Sequence, residues 1–325
     1  MIIRPELRAL RGNDAPQRQA QSEFQTVLNR WREYGPGRQV EEEIAQFAAG
    51  ARIEDLPLLS TLFAPDDSSA QSFVAGLVEA FVAELAASPL GQVPLRYSCD
   101  ETMASLAVTR HGTAVLALQA VDGAGLARKP FPVSASFAPT ETHERVLAGS
   151  GTAVRVRIAS DLPDRAELQF EDVTLVPGPV RHRFGSQEAQ LLRDVSGTLV
   201  TLKLQRRQGT GAVTREHLLA DGRLVHQAAG TPRESRLELA AALLGRMGRA
   251  DAAPLLAAIA EEEAAQSLRW EALRECLGLD SAVGFATLSR IAARPLDPLA
   301  SPAGALRAQL LETYPQLSGV QPCPA

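Results

Sequence analysis

The sequence is poor in the residues that most often reveal a protein's chemistry. Its 325 residues include three cysteines, Cys99, Cys276 and Cys323, which are far apart and odd in number. Neither a disulfide framework nor a standard zinc site fits that spacing. The cysteine content therefore favours a reducing compartment.

The chain also has little that would bind a membrane or a nucleic acid. Its most apolar stretch, Phe73 to Ala87, contains Glu79 and Glu84 and is shorter than the ~20 apolar residues of a membrane span. No secretory leader is recognised after Met1. The net charge of -5 at pH 7 disfavours a protein built around nucleic acid. We expect a cytoplasmic protein that binds neither membrane nor nucleic acid.

Sequence motifs of common enzymes are missing. No glycine-rich phosphate loop, nucleotide-binding fingerprint or GxSxG nucleophile motif occurs. Aromatic residues make up only 5% of the chain, whereas 45% of residues are hydrophobic, which is enough for a substantial core. A chain of this length predicts two or three folding units, and whether it is an enzyme stays open at this stage.

The first predicted domain, residues 1–90, is a helical head. Phe24 and Leu28 repeat at helical spacing in one helix, and Ile44 and Phe47 do so in a second. The next helix is expected to begin at one of three capping residues, Asp66, Asp67 and Ser68.

The second predicted domain, residues 91–230, is rich in β-forming residues. Val154 to Ile158 alternates apolar and basic residues, and Leu199 to Leu204 has the same period. Asp221-Gly222 lies between two β-forming runs and predicts a hairpin. Short strands at this spacing predict an antiparallel β-barrel or sandwich.

The third predicted domain, residues 231–325, is helical and contains an internal repeat. A set of apolar residues recurs at one constant offset: Ala240, Leu244, Leu256 and Ile259 become Ala272, Cys276, Leu288 and Ile291. Residues 235–294 resemble paired helices of the HEAT type. Such units bury their apolar faces only by stacking, so the resemblance implies a docking surface for a protein partner. The whole chain is predicted to be α+β and multi-domain.

Two segments of the middle domain resemble the motifs of the cupin superfamily. Ser136–Glu144, which contains Glu141 and His143, is similar to the first cupin motif, and Val176–His182 is similar to the second. The resemblance implies a barrel in which residues of adjacent strands hold iron or another divalent ion.

On this resemblance the metal ligands are Glu141, His143 and His182, with Glu141 where the family has the first of two histidines. Two imidazoles and one carboxylate form the donor set of non-haem Fe(II) centres. The alternative is that Glu141 to Arg145 is a polar surface turn and that His182 lies in an exposed basic loop. A barrel that keeps the fold without the metal fits that alternative.

A second group of candidate residues is basic: Arg155, Arg157, Arg181, Arg183 and Lys203. If the sheet brings these side chains together, they would attract an acidic peptide, a carboxylate or a phosphate. The alternative is a solvated sheet face, since exposed arginines are normal on strands.

Two functional hypotheses remain. In the first, the protein is an interaction or accessory protein whose β module binds a small acidic ligand or peptide, while the helical tail docks a protein partner. In the second, it is a cupin-type Fe(II)-dependent dioxygenase that acts on a small molecule or peptide. The second hypothesis requires His143 and His182 to converge on one centre.

Overall fold

The computed structural model describes residues 12–65, 68–162, 164–209 and 212–320, which form two compact units. The first unit runs to Ala135 and includes Thr140–Arg207 and Leu219–Asp221. The second comprises Ser136–Pro139, Gln208–Leu218 and the chain from Gly222 onward. The division into three domains at residues 90 and 230 stays a prediction.

Helices form the beginning of the first unit: α1 (Ala15–Glu33), α2 (Gly35–Ala48), α3 (Pro57–Leu62) and α4 (Ser69–Ala87). Phe24, Leu28 and Phe47 are buried in its core, as their helical spacing predicts. Ser68 is the N-cap residue of α4, whereas Asp66 and Asp67 lie outside the described residues.

Helix α4 is apolar on more than one face. By length and composition alone it is long enough to cross a membrane, with 22% of its most apolar window buried. Phe73 and Leu77 pack in the core of the unit, while Val78 and Val82 are exposed. One such helix is weak evidence for a membrane span, because the core helix of a soluble protein passes the same test. The expected cytoplasmic location stays a prediction.

Antiparallel strands follow the helices. In chain order they are β1 (Tyr97–Cys99), β2 (Met103–His111), β3 (Ala114–Asp122), β4 (Ser134–Phe137), β5 (Thr140–Asp161), β6 (Ala166–Leu175), β7 (Val180–Phe184), β8 (Glu188–Arg207), β9 (Val213–Leu218) and β10 (Leu224–Ala229). A short helix, α5 (Gly123–Ala127), follows β3.

Seven of these strands form one sheet with the order β1-β2-β3-β8-β5-β6, and β7 pairs with the first part of β5. The prediction of a mixed α+β chain with antiparallel sheets is confirmed. Within the described ranges the path of paired strands ends at β1 and at β6. Of the predicted barrel or sandwich, a closed barrel is not formed, because within the described ranges no hydrogen-bonded ladder joins those two edges.

Strands β5 and β8 are long and sharply bent. Their register shifts between Val146 and Ala148 and at two later points, and such bulges bend a strand. Gly149 sits among these bulges with a φ of 78°, and a Cβ there would lie 2.1 Å from the Thr198 carbonyl oxygen. Glycine is needed at this position because both its backbone conformation and the close approach exclude a side chain.

The bend folds the sheet over on itself. Gln190 lies opposite Arg155 in the β5–β8 ladder, yet its side-chain Nε2 donates a hydrogen bond of 3.1 Å to Glu144. On a straight strand Glu144 and Arg155 would lie roughly 35 Å apart, at ~3.3 Å per residue. The sheet therefore has an inner face, which we define by Thr142, Glu144 and Val146 on β5.

The opposite side of the same strand is the head-side face, which we define by Glu141, His143 and Arg145. Successive side chains on a strand point to opposite sides of the sheet. The Arg145 guanidinium is buried and donates to the carbonyl oxygens of Leu62 and Ala64, at and beyond the end of α3. The helices thus cover the part of this face around Arg145.

The second unit contains β4, β9 and β10, which form a three-stranded sheet, followed by helices. The hairpin predicted at Asp221-Gly222 joins β9 and β10. The helices are α6 (Pro232–Arg246), α7 (Ala253–Glu261), α8 (Gln266–Leu279), α9 (Ser281–Ala292) and α10 (Ala300–Thr313). Cys276 is buried in their core, and Cys323 lies outside the described residues. A helical tail is present, and its HEAT character stays a prediction.

Candidate functional site

The first half of β5 lies between β8 and β7, and this arrangement creates the candidate site. His143 is directly opposite His182 on β7 and Leu204 on β8. Its neighbour Glu141 is opposite Phe184 on β7 and Arg206 on β8. Directly opposite residues have side chains on the same face, so both histidines, Glu141 and Arg206 meet on the head-side face.

Glu141 connects the two histidines. The Nε2 atoms of His143 and His182 each lie 3.3 Å from the same carboxylate oxygen, Oε1 of Glu141. The two imidazole rings are stacked, with centroids 4.2 Å apart and 13° between their planes. The three residues offer ligand atoms that all lie within 4.8 Å of one another. We call Glu141, His143 and His182 the His–Glu cluster.

Arg206 holds the other carboxylate oxygen of Glu141. Its Nη2 and Nε donate to Oε2 at 2.5 and 3.1 Å. Its Nη1 donates to the carbonyl oxygens of Phe47 and Ala51, and the guanidinium stacks 4.1 Å from the ring centroid of Phe47. Arg206 therefore fixes the orientation of Glu141 and leaves Oε1 directed at the histidines.

The cluster is closed by the head and open beside β7. The rings of Phe47 and Phe63 each approach His143 edge-on at 6.1 Å. His143 and Glu141 are almost fully buried, whereas 43% of the His182 side chain is exposed. The cluster therefore contacts solvent through His182 on the β7 side.

Burial and charge adjust the ionisation of this cluster. Burial lowers the pKa of His143, the charge of His182 lowers it further, and Glu141 opposes both effects. Burial acts to raise the pKa of Glu141, but the hydrogen bonds and the charge of Arg206 outweigh it and hold that pKa below its usual value. A neutral imidazole and an ionised carboxylate are the forms that bind metal ions.

The cluster fits a divalent transition metal in donor type and spacing. Two imidazoles and a carboxylate suit Fe(II), Mn(II), Co(II) or Zn(II), and a hydrogen bond to the far oxygen of a ligating carboxylate is a usual supporting contact. The stacked rings are the point of poor fit, because a metal ion lies in the plane of each imidazole that binds it. Ion binding would therefore require the rings to turn out of the stack, and His182 is the more exposed of the two, with 43% of its side chain exposed.

The inner face carries a different group of charges. Lys203 on β8 and Arg181 on β7 lie directly opposite Glu144 on β5. Lys203 Nζ and Arg183 Nη1 each lie 3.3 Å from Glu144 Oε2. Burial acts to raise the pKa of Glu144, but the charges of Lys203 and Arg183 outweigh it and lower that pKa to about 2. We call Arg155, Arg181, Arg183 and Lys203, around Glu144, the basic cluster.

The structure brings together most of the residues that the sequence singled out. Burial is the main cause that lowers the pKa of Arg181, and the charge of Arg155 lowers it further. Arg155 therefore belongs to the basic cluster, although it lies beyond the bend of β5. Arg157 pairs with Glu188 instead. That the His–Glu cluster holds a metal and that the basic cluster holds a ligand both stay predictions.

The alternative of a polar surface turn at Glu141 to Arg145 is wrong, because this segment is a buried strand. The sequence reasoning did not single out Glu144 or Arg206 for the roles that they have here. The alternation of Glu141, His143 and Arg145 with Thr142 and Glu144 was the available signal. This alternation would have assigned Glu141 and Glu144 to opposite faces of the strand.

No protein-family model and no curated protein matches the chain. Structure comparison pairs part of it with the Momordica charantia 7S globulin at 13% identity and a TM-score of 0.27, covering 38% of this chain and 35% of that one. HutD from Pseudomonas fluorescens matches at 14% identity and a TM-score of 0.27, covering 37% of this chain and 60% of HutD.

A cupin-superfamily sugar phosphate isomerase from Silicibacter pomeroyi matches at 11% identity and a TM-score of 0.24, covering 38% of this chain and 77% of that one. Cupin proteins are therefore among the structures that this chain is similar to. The chain spans less than two thirds of the 7S globulin and of HutD. At these TM-scores the similarities carry no argument about activity, and the case for function depends on the site itself.

Proposed function

We propose that the protein binds a divalent transition-metal ion through Glu141, His143 and His182. The observation that carries the proposal is the approach of both Nε2 atoms to one carboxylate oxygen at 3.3 Å. Those residues lie on two strands, and the resemblance of their segments to the two cupin motifs predicted them as ligands. Burying Glu141 and His143 costs free energy unless they are paired or bind a metal.

The chemistry that such an ion would supply follows from its donor set. A metal held by two imidazoles and one carboxylate keeps coordination positions open, as in non-haem Fe(II) oxygenases. On this proposal the protein is a metal-dependent enzyme of the oxidoreductase class that acts on a small molecule or peptide. Arg206 orients Glu141, and Phe47 and Phe63 exclude water from the head side of His143.

The test is metal uptake by the full-length protein, purified without chelator and under low oxygen. Equilibrium dialysis against Fe(II), Mn(II), Co(II) and Zn(II), followed by elemental analysis, gives the stoichiometry for each metal. We expect about one ion per chain. His182→Ala and Glu141→Gln should abolish uptake, whereas His111→Ala, which removes an exposed histidine of β2, should not change it.

Two results would overturn the proposal. One is a well-folded protein that takes up none of the four ions. The other is equal uptake by the wild type and by His182→Ala. Substrate turnover need not be known for either result, so metal binding is tested separately from the proposed oxidoreductase activity.

A second proposal concerns the tail, where we infer that an amphipathic helix of a protein partner docks on α6. Leu239 and Leu243 are one helical turn apart on α6 and are 72% and 57% exposed, and Met247 just beyond it is 58% exposed. Exposed apolar residues at this spacing form a stripe that can pack against the apolar face of a partner helix.

The test is site-specific photo-crosslinking from position 239 in cells. We expect one recurrent partner, which is lost in Leu243→Glu. A crosslinker at Leu296, which is 99% exposed, is the control for random encounters. The same proteins captured from both positions would contradict the docking proposal.

A further inference from the structure

The inner face holds more positive charge than its own carboxylates neutralise. Glu144 is 4% exposed, and the side chains of Arg183 and Lys203 that contact it are 15% and 16% exposed. Burial lowers the pKa of Lys203, and Glu144 only partly opposes the effect. The buried carboxylate of Glu144 therefore forms ion pairs with both Arg183 and Lys203, whose side chains are also mostly buried.

Two more guanidinium groups add to the surplus. Arg155 pairs at 3.2 Å with Glu171, whose side chain is 56% exposed. Arg181 lies directly across from Glu144, and the structure gives it no ion pair within its described ranges. Among the residues that the structure describes, these four cations are matched by Glu144 and Glu171, which leaves two positive charges of the basic cluster without a described carboxylate.

Arg181 also has an unused donor. Its Nη2 donates to the Thr174 carbonyl oxygen at 2.5 Å. Its Nη1 is buried and has no hydrogen-bond partner in the part of the chain that the structure describes. Buried donors of native proteins are nearly always satisfied, so such an exception calls for a missing partner.

We propose that the basic cluster is a binding site for a small oxyanion with two negative charges, such as a phosphate group or a dicarboxylate. Guanidinium forks donate paired hydrogen bonds to such oxygens, and a dianion balances the surplus. Glu144 acts as a positioning residue, because it holds Lys203 and Arg183 while Gln190 occupies its second oxygen. The site lies on the opposite side of the sheet from the His–Glu cluster and does not depend on the proposed metal.

The experiment is calorimetric titration of the full-length protein at pH 7 in a buffer of low anion content. Inorganic phosphate and succinate are titrated separately, so the two sources of the dianion are distinguished. We expect saturable binding of at least one of them at about one per chain. Arg181→Gln should weaken that binding roughly tenfold or more, because it removes a charged donor.

A matched arginine on the same sheet provides the control. Arg193 on β8 is 54% exposed and pairs with Asp172 at the surface, so Arg193→Gln should change the affinity by less than about twofold. If Arg181→Gln does not fold, Arg181→Lys keeps the charge, loses the fork and should still bind more weakly than the wild type.

A purely structural ion network would give a different result. In that case neither anion binds saturably, and phosphate stabilises the protein against heat no more than chloride of equal ionic strength. Equal affinities of the wild type and Arg181→Gln would equally overturn the proposal. A phosphate-specific rise of Tm in the wild type and in Arg193→Gln that is reduced in Arg181→Gln would support it.

Discussion

The two faces of β5 differ in kind although they share one short segment of sequence. On the head-side face, Glu141 is matched by Arg206, and the neighbouring groups are imidazoles and aromatic rings. On the inner face, Glu144 is surrounded by cations. The comparison shows that the alternation of side chains along one strand places neighbouring carboxylates in two different charge environments.

The difference arises from the partners rather than from the strand itself. Both carboxylates lie on β5 between β8 and β7, and both are mostly buried. Glu141 forms an ion pair with the guanidinium of Arg206, which also donates hydrogen bonds to two backbone carbonyl oxygens of the head. Glu144 forms ion pairs with the ammonium of Lys203 and the guanidinium of Arg183, and Arg181 lies opposite it in the β5–β7 ladder. Replacing the same residue type on each face is therefore the most direct way to test the comparison.

The largest effect is expected from Glu144→Gln. The substitution keeps the shape of the side chain but leaves Lys203 and Arg183 buried beside a neutral group. Removing one partner of a buried ion pair typically costs about 3–5 kcal/mol of the free energy of unfolding. Urea unfolding followed by circular dichroism measures the change. A loss below about 1 kcal/mol would mean that water already solvates these cations.

Metal binding is expected to have the next largest effect. An ion at about 100 times its dissociation constant stabilises the folded chain by about 2.7 kcal/mol. This gain should be absent from His182→Ala and retained in Arg181→Gln, since the two residues belong to different faces. Thermal unfolding with and without metal measures it. A gain that Arg181→Gln removes would show that the two faces are not independent.

Glu141→Gln is expected to cost less than the same change at Glu144, roughly 1–2 kcal/mol. It weakens charge-assisted hydrogen bonds from Arg206, but that guanidinium keeps its bonds to the Phe47 and Ala51 carbonyl oxygens and its stacking on Phe47. The same urea unfolding experiment compares the two variants. Equal losses for both would remove the energetic distinction between the faces.

Much of the architecture was readable from periodicity. The head helices, the antiparallel strands and the hairpin at Asp221-Gly222 follow local rules of helical spacing, alternation and turn chemistry. Glu141, His143 and His182 were grouped through the resemblance to two cupin motifs rather than through periodicity, and they lie together on the sheet.

The rest depends on contacts that no local pattern specifies. Arg206 reaches Glu141 because β8 pairs with β5 in one register, and a one-residue slip would send it to the other face. Gln190 reaches Glu144 only through the bend at the bulges around Gly149. The open sheet edge and the cover of the head over His143 are likewise long-range results of packing.

The smallest effect is expected from Arg157→Gln, which tests the boundary of the basic cluster. Arg157 was grouped with Arg155 by sequence, yet its side chain is 48% exposed and pairs with Glu188. Exposed ion pairs contribute less than about 1 kcal/mol, so the free energy of unfolding and the phosphate affinity should barely change. Urea unfolding and calorimetry measure both. A loss of phosphate affinity as large as that of Arg181→Gln would place Arg157 inside the cluster and extend the anion site along β5 beyond the bend.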